Sequence, residues 1–545
     1  MKKSRGLLLA SAVSATALVL AGCSTSTTDQ GGGDGEGGEA LVVGTTDKVT
    51  VLDPAGSYDN GSFFVMQQVF PFLLSYTPGT AETEPDIAES ADFTDPSTYE
   101  VKLKEGLTFA NGNELTASDV KFSFERQLEI EDPNGPSSLL GTVESIETPD
   151  DLTVQFTLNR ENDQTFPLVL AGPAGPIVDE DVFAADEVTP DQDIVDGDAF
   201  AGPFAIDSYS FNELISFKAN PDYEGPLGAP ESDSVQMRYF AEANNMKLEL
   251  EQGGIDVAWR SLSATDIEDL EGNDDLAVHK GPGGEIRYVV YNFDTMPHGA
   301  ESDDPDEDKA LAIRQAMAGS IDRDAIAEQV YKGTYTPLYS YVPEGLPGAN
   351  ESLKELYGDG DGGADVDAAK KVLEDAGVET PVDIKLQYSP DHYGPSSGDE
   401  YAMIKNQLEA DDLFSVDLQS TEWVQYAKDR TEDVYPAYQL GWFPDYSDAD
   451  NYLVPFFYDT DESSSFLANH FRDEDINKQL SEQGSMTDED ERADAISDIQ
   501  SDLAEQLPTL PYLQGAQIAV SGKDVTGVDD TLDPSFQFRL ALLGK

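Results

Sequence analysis

The stretch Ala437-Tyr438-Gln439-Leu440-Gly441-Trp442-Phe443-Pro444-Asp445-Tyr446-Ser447-Asp448-Ala449-Asp450-Asn451-Tyr452 decides the fold class. Its apolar start, 437–440, reads as a strand. Pro444 ends that strand, because proline offers no N–H to a ladder. Upstream the pattern alternates: strand-like runs at 382–388 and 414–419, helical runs at 401–409 and 423–429. Such alternation builds an α/β sheet. Open α/β sheets hold ligands beyond the carboxyl ends of their strands, where Trp442, Asp445 and Tyr446 fall. Aromatic walls beside a carboxylate suit a flat or apolar ligand that carries a positive amine. The alternative is an acidic surface loop with Trp442 tucked into the core.

The amino end is of another kind. Met1-Lys2-Lys3-Ser4-Arg5 precedes an apolar run, 6–21, that is short and rich in alanine and serine. That is the form of a secretory signal peptide rather than a permanent span. The run closes on Leu20-Ala21-Gly22-Cys23, and Cys23 is the single cysteine of the chain. This resembles the lipobox of bacterial lipoproteins, which implies that Cys23 is lipidated and becomes the first mature residue. Residues 23–40 are Ser/Thr- and then Gly-rich and cannot bury a core, so they read as a flexible tether. One cysteine excludes an intrachain disulfide and a cysteine-based zinc cluster. The histidines, His279, His298, His392 and His470, are scattered without ligand spacing, and neither metal nor cofactor is expected.

The formal charge is −75, from 107 acidic and 32 basic residues. Nucleic-acid binding needs basic patches, and none is present. The carboxylates are spread along the whole chain, which favours solubility, as in a salty habitat, over steering of a cationic ligand.

Local signals punctuate the body. Residues 62–74 read as a buried helix kinked or ended at Pro71. Thr116 with Asp119 forms a capping-box start for an amphipathic helix through Val120 and Phe124. Residues 143–147 and 153–158 read as paired strands. Asp322 suits the N-cap of a helix over 323–331. The acidic run 359–367 has a lysine, Lys370, where a calcium loop needs its bidentate glutamate, so it reads as a solvent loop with Asp367 capping the helix 368–375.

Three consecutive motifs carry a family resemblance: Asp86-Ile87-Ala88-Glu89; Leu103-Lys104-Glu105-Gly106-Leu107-Thr108-Phe109-Ala110-Asn111-Gly112; and Leu115-Thr116-Ala117-Ser118-Asp119-Val120. They resemble the signature of the family 5 extracellular solute-binding proteins, the oligopeptide, dipeptide and nickel receptors of ABC importers. Gly202-Pro203-Phe204 with Asn220-Pro221-Asp222-Tyr223, residues 248–259, 288–294 and the helix 313–326 continue the likeness. So do 515–520 and 533–540, read as returning C-terminal strands. The resemblance spans roughly 41–545.

It implies a two-lobed α/β fold of the periplasmic-binding-protein type with mixed sheets and a hinge. Lobe I would take 41–84, 200–296 and 511–545, an extra subdomain 85–199, and lobe II 297–510. It further implies a non-enzymatic, extracytoplasmic receptor, monomeric and held at the membrane by Cys23, that passes a short peptide to ABC permease subunits. In peptide-binding members the loop "G–W–x–x–D–Y" offers a carboxylate to the peptide's α-amino group, which maps onto Trp442, Asp445 and Tyr446. Trp423, Tyr426, Tyr58, Phe63 and Tyr291 are the candidate walls. Two alternatives stand beside this: another solute on the same scaffold (an oligosaccharide or metal chelate), or Asp445, Asp448 and Asp450 as ligands of a hard cation. A secreted hydrolase is a third class, without a Gly-x-Ser-x-Gly elbow or a His-Glu-x-x-His motif to support it.

Overall fold

The computed structural model describes residues 40–545 except 395, 461–464, 533 and 536. The leader, Cys23 and the tether as far as residue 39 lie outside the described residues.

Each lobe is built on its own mixed sheet. The first has seven strands in the order Leu276–Gly281, Gln517–Gly522, Val257–Trp259, Leu41–Thr45, Ser234–Tyr239, Leu214–Ala219 and Phe204–Ser210. Leu41–Thr45 runs parallel to both its neighbours, and the other pairs are antiparallel. The second has six: Tyr335–Pro337, Thr509–Gly515, Ile286–Tyr291, Ala437–Trp442, Val382–Tyr388 and Phe414–Ser420. Its last three are parallel and are joined through the helices Ser397–Leu408 and Trp423–Thr431, as the alternation predicts.

A four-stranded antiparallel sheet, Ala88–Asp95, Thr98–Leu103, Thr153–Leu158 and Val143–Asp150, forms the extra subdomain. The helix Ala117–Ile130 packs on it, with the Phe124 and Phe156 rings 5.3 Å apart, edge to face. Full burial of each such ring is worth about 1.5–3 kcal/mol. The same helix is tied to the first lobe by Arg126, whose guanidinium donates to both oxygens of buried Asp53 at 2.7 and 2.8 Å.

Several local signals act as expected. Thr116 and Asp119 close a reciprocal capping box, and the Asp322 carboxylate accepts from Ala325 N at 2.9 Å. The helix Asn60–Val69 stops before Pro71 and is capped by Asp59, which accepts from Ser62 N at 2.9 Å.

Three details differ. Asp365, not Asp367, caps the helix Val366–Asp375, accepting from Ala368 N at 2.9 Å. Of the expected strand 533–540, the described residues make none; Phe538 stacks on Trp259 at 5.0 Å and the chain turns through Leu540–Leu542. Ile286–Tyr291, expected in lobe I, is a central strand of the second sheet. All six of its residues are buried, and a strand covered on both faces belongs inside a sheet rather than at a linker.

The chain passes between the lobe sheets at 282–285 and again at Ala516, one strand earlier than the 296/297 boundary. The two passages lie side by side: Gly515 N donates to Glu285 O at 2.8 Å, and Gln514 Nε2 donates to Gly283 O at 3.0 Å. A Cβ on Gly283 would sit 2.2 Å from Gly515 O, so only glycine permits this approach.

Candidate functional site: the cleft between the lobes

The strand Ala437–Trp442 delivers the loop 443–449, and the helix Asp450–Phe457 follows it. Asn451, in the first turn of that helix, organises the loop. Its side-chain oxygen accepts from Trp442 Nε1 and from Asp445 N, both at 2.9 Å, and its amide donates to Asp445 Oδ2 at 3.1 Å. The other carboxylate oxygen of Asp445 accepts from the Tyr58 hydroxyl, which comes from the first lobe. Burial pushes the Asp445 carboxyl above the usual range, against the pull of these two neutral donors. Among the described residues, no cationic side chain pairs with Asp445.

The neighbouring carboxylates are otherwise engaged. Arg492 holds both oxygens of Asp448 at 2.8 and 2.6 Å. Asp450 accepts from the Tyr446 hydroxyl at 2.9 Å and from Gln483. The three-carboxylate cation arrangement therefore retains only Asp445. The helix after the loop touches a lobe passage, and the loop touches the first lobe. Tyr452 OH donates to Gly284 O at 2.7 Å, Ser447 N donates to Tyr76 OH at 3.2 Å, and Ser447 Oγ donates to Pro534 O at 2.9 Å.

Two cavities of about 340 Å³ each open in the cleft. The first is bounded by Tyr58, Phe63, Trp423, Trp442, Asp445 and Phe466. The second is bounded by Arg260, Leu262, Glu285, Arg287, Tyr331 and Tyr335. They share His392, Tyr393 and Phe443.

The structure thus brings five sequence candidates to one cavity: Asp445, Trp442, Trp423, Tyr58 and Phe63. Tyr426, Tyr291 and Tyr446 are elsewhere. Tyr426 is fully buried, with its hydroxyl on Gln439 O at 2.6 Å. Tyr291 is in the core of the second lobe, and Tyr446 packs against the core of the extra subdomain.

Sequence reasoning missed His392, whose ring stacks on Trp423 at 3.6 Å between centroids. Burial lowers its pKa, which favours the neutral imidazole. It also missed Phe443, which lies 5.5 Å beneath the Arg260 guanidinium, and Arg287. Arg287 meets Glu285 at 3.0 Å and donates to Tyr335 OH at 2.9 Å and Tyr393 O at 2.6 Å. An arginine alone in the apolar strand Ile286–Tyr291 was its signal, since a buried charge needs partners.

The sequence profile described as "Bacterial extracellular solute-binding proteins, family 5 Middle" matches residues 82–464. The chain belongs to this family of solute-binding proteins. Di/tripeptide-binding protein 1 of Pseudomonas aeruginosa is 27% identical to this family 5 protein over 84% of the chain and 86% of the relative. Heme-binding protein A of Haemophilus influenzae is 26% identical over 97% and 96%. The solved structure of HbpA2 from Haemophilus parasuis superposes with a TM-score of 0.76 at 22% identity, covering 92% of this chain and 99% of that one. That of DppA from Helicobacter pylori in complex with peptide STSA gives 0.71 at 22%, covering 93% and 98%. Both likenesses establish the two-lobed α/β fold.

One constellation outside the cleft has the outline of a hydrolytic triad. His279 Nδ1 lies 2.7 Å from Asp529 Oδ1, and Nε2 lies 3.0 Å from Ser521 Oγ. Ser521 is fully buried in its strand, so a substrate carbonyl has no approach to its oxygen.

Proposed function

We propose that this family 5 protein captures a short peptide between its lobes and delivers it to an ABC permease, working outside the cell membrane with a lipid on Cys23 as its anchor. The observation that carries the reading is Asp445: a desolvated carboxylate at the cleft, oriented by Asn451 and Tyr58, with no cationic partner among the described residues. A protonated α-amine is the group that such a site lacks, and a charge-assisted hydrogen bond to it is strong when water is excluded. Trp442 and Trp423 supply flat apolar surface in the same cavity. The peptide-binding names of several relatives agree with this assignment.

Closure would bend the chain at 282–285 and Ala516, with the solute favouring the closed state by contacting both lobes. The test is calorimetric titration of Asp445→Ala with a peptide bound by the unaltered protein. The proposal expects binding to be lost while the melting temperature holds. An unchanged affinity removes Asp445 from the role. Native mass spectrometry of the purified protein distinguishes a carried peptide from a sugar, a nickel complex or a haem.

A further inference from the structure

The second cavity has no part in holding the amine, yet it continues the first through His392, Tyr393 and Phe443. Its apolar surface comes from both lobes: Leu262, Ile267 and Ile518 from the first, Tyr331, Tyr335 and Phe443 from the second. Two arginines border it, and each is matched at short range. Arg287 meets Glu285 at 3.0 Å with Glu400 behind it at 3.8 Å, and Arg260 meets Asp47 at 3.1 Å. Arg260 also lies over Phe443, and Arg287 lies over Tyr335 at 5.0 Å, so each guanidinium is spread across an aromatic face. A charged group entering here would lose water and find its attraction to one member of each ion pair offset by the other. An uncharged group with large apolar area would gain by leaving water.

We propose that this chamber receives an uncharged, bulky apolar or aromatic side chain of the bound solute, and that it excludes charged ones. At about 340 Å³ it has room for such a group. The inference rests on the peptide reading above and adds a specificity to it: amine at Asp445, apolar side chain beyond Phe443. Leu262 is the residue through which the chamber can be filled without touching the Asp445 site. It is half-buried and borders only the second cavity.

The test is calorimetric titration with a panel of dipeptides: alanyl-phenylalanine and alanyl-tryptophan against alanyl-glutamate and alanyl-lysine, with alanyl-alanine as reference. The aromatic dipeptides are expected to bind about tenfold to a hundredfold more tightly than the reference, from the area they bury. The charged ones are expected to bind no better than the reference. Leu262→Trp, which fills the chamber, should remove the advantage of the aromatic dipeptides over alanyl-alanine. If that variant does not fold, the panel on the unaltered protein decides alone. Equal affinities across the panel, or a preference for either charged dipeptide, overturn the chamber while leaving the peptide reading in place. Failure of every dipeptide to bind overturns the peptide reading, and the chamber assignment falls with it.

Discussion

The Tyr58 hydroxyl and the Asp445 carboxylate, 387 residues apart in sequence, meet across the cleft in a hydrogen bond from one lobe to the other. Tyr58 is 40% exposed, so part of its ring faces the cleft while its hydroxyl is engaged. It donates to the carboxylate proposed above to hold the ligand's amine. The bond thus links the two lobes directly.

Tyr58→Phe keeps the ring and removes the donor. A hydrogen bond of this kind contributes roughly 0.5–1.5 kcal/mol net, enough to shift a lobe equilibrium severalfold. The ligand-free variant is expected to show a larger radius of gyration by small-angle X-ray scattering, with its melting temperature little changed. Superposable scattering curves for variant and parent would show that the bond does not govern opening.

Gly283→Ala tests the passage between lobes. The added Cβ would meet the backbone oxygen of Gly515 at 2.2 Å, and a backbone atom cannot rotate away. Crowding of this sort costs about 1–3 kcal/mol. Chemical denaturation should report a loss of that order with an unchanged slope. A neutral result would mean that the two passages are less closely apposed than described.

Asp86 gives the fold a pH dependence. It is buried, accepts from Phe72 N at 3.1 Å, and burial raises its pKa to about 6. An unfolded aspartate titrates near ~3.9. Between about pH 4 and 6 the folded protein therefore keeps a proton that the unfolded chain has released, so stability falls as pH rises through this window and is level above it. Asp86→Asn should flatten that part of the stability–pH curve. A curve parallel to the parent's would place the titration elsewhere.

Salt addresses the charge. With a formal −75 on the chain, self-repulsion opposes the compact state, and it is screened as the Debye length falls from about 10 Å at 0.1 M to about 3 Å at 1 M. The melting temperature is expected to climb over that range of sodium chloride. A flat or falling trend would show that repulsion is a minor part of its stability.

How much of this was legible in the sequence differs by element. Caps such as Thr116 with Asp119, and the strand end before Pro444, depend on residues a few positions apart, so spacing alone reveals them. The alternation over 382–441 gave the parallel half of the second sheet for the same reason. Ile286–Tyr291 was harder, because an apolar run states that it is buried and not which sheet covers it. Walls and core were likewise confused among the aromatics. Trp423 faces the cavity, whereas Tyr426, three residues on, is sealed beneath it with its hydroxyl on a backbone carbonyl. Pairs such as Tyr58 with Asp445, or His392 with Trp423, depend on how distant segments come together, and no local pattern encodes them.

If Asp445 holds the amino end of the solute, blocking the amine and removing the carboxylate must have overlapping effects, which a two-by-two titration reads out. A peptide and its N-acetylated counterpart are each titrated by calorimetry into the unaltered protein and into Asp445→Asn. Acetylation is expected to weaken binding to the unaltered protein by about thirtyfold or more, as for an interaction worth roughly 2–5 kcal/mol. In the variant, acetylation should make little further difference. An equal loss on acetylation in both proteins, or none in either, would contradict it.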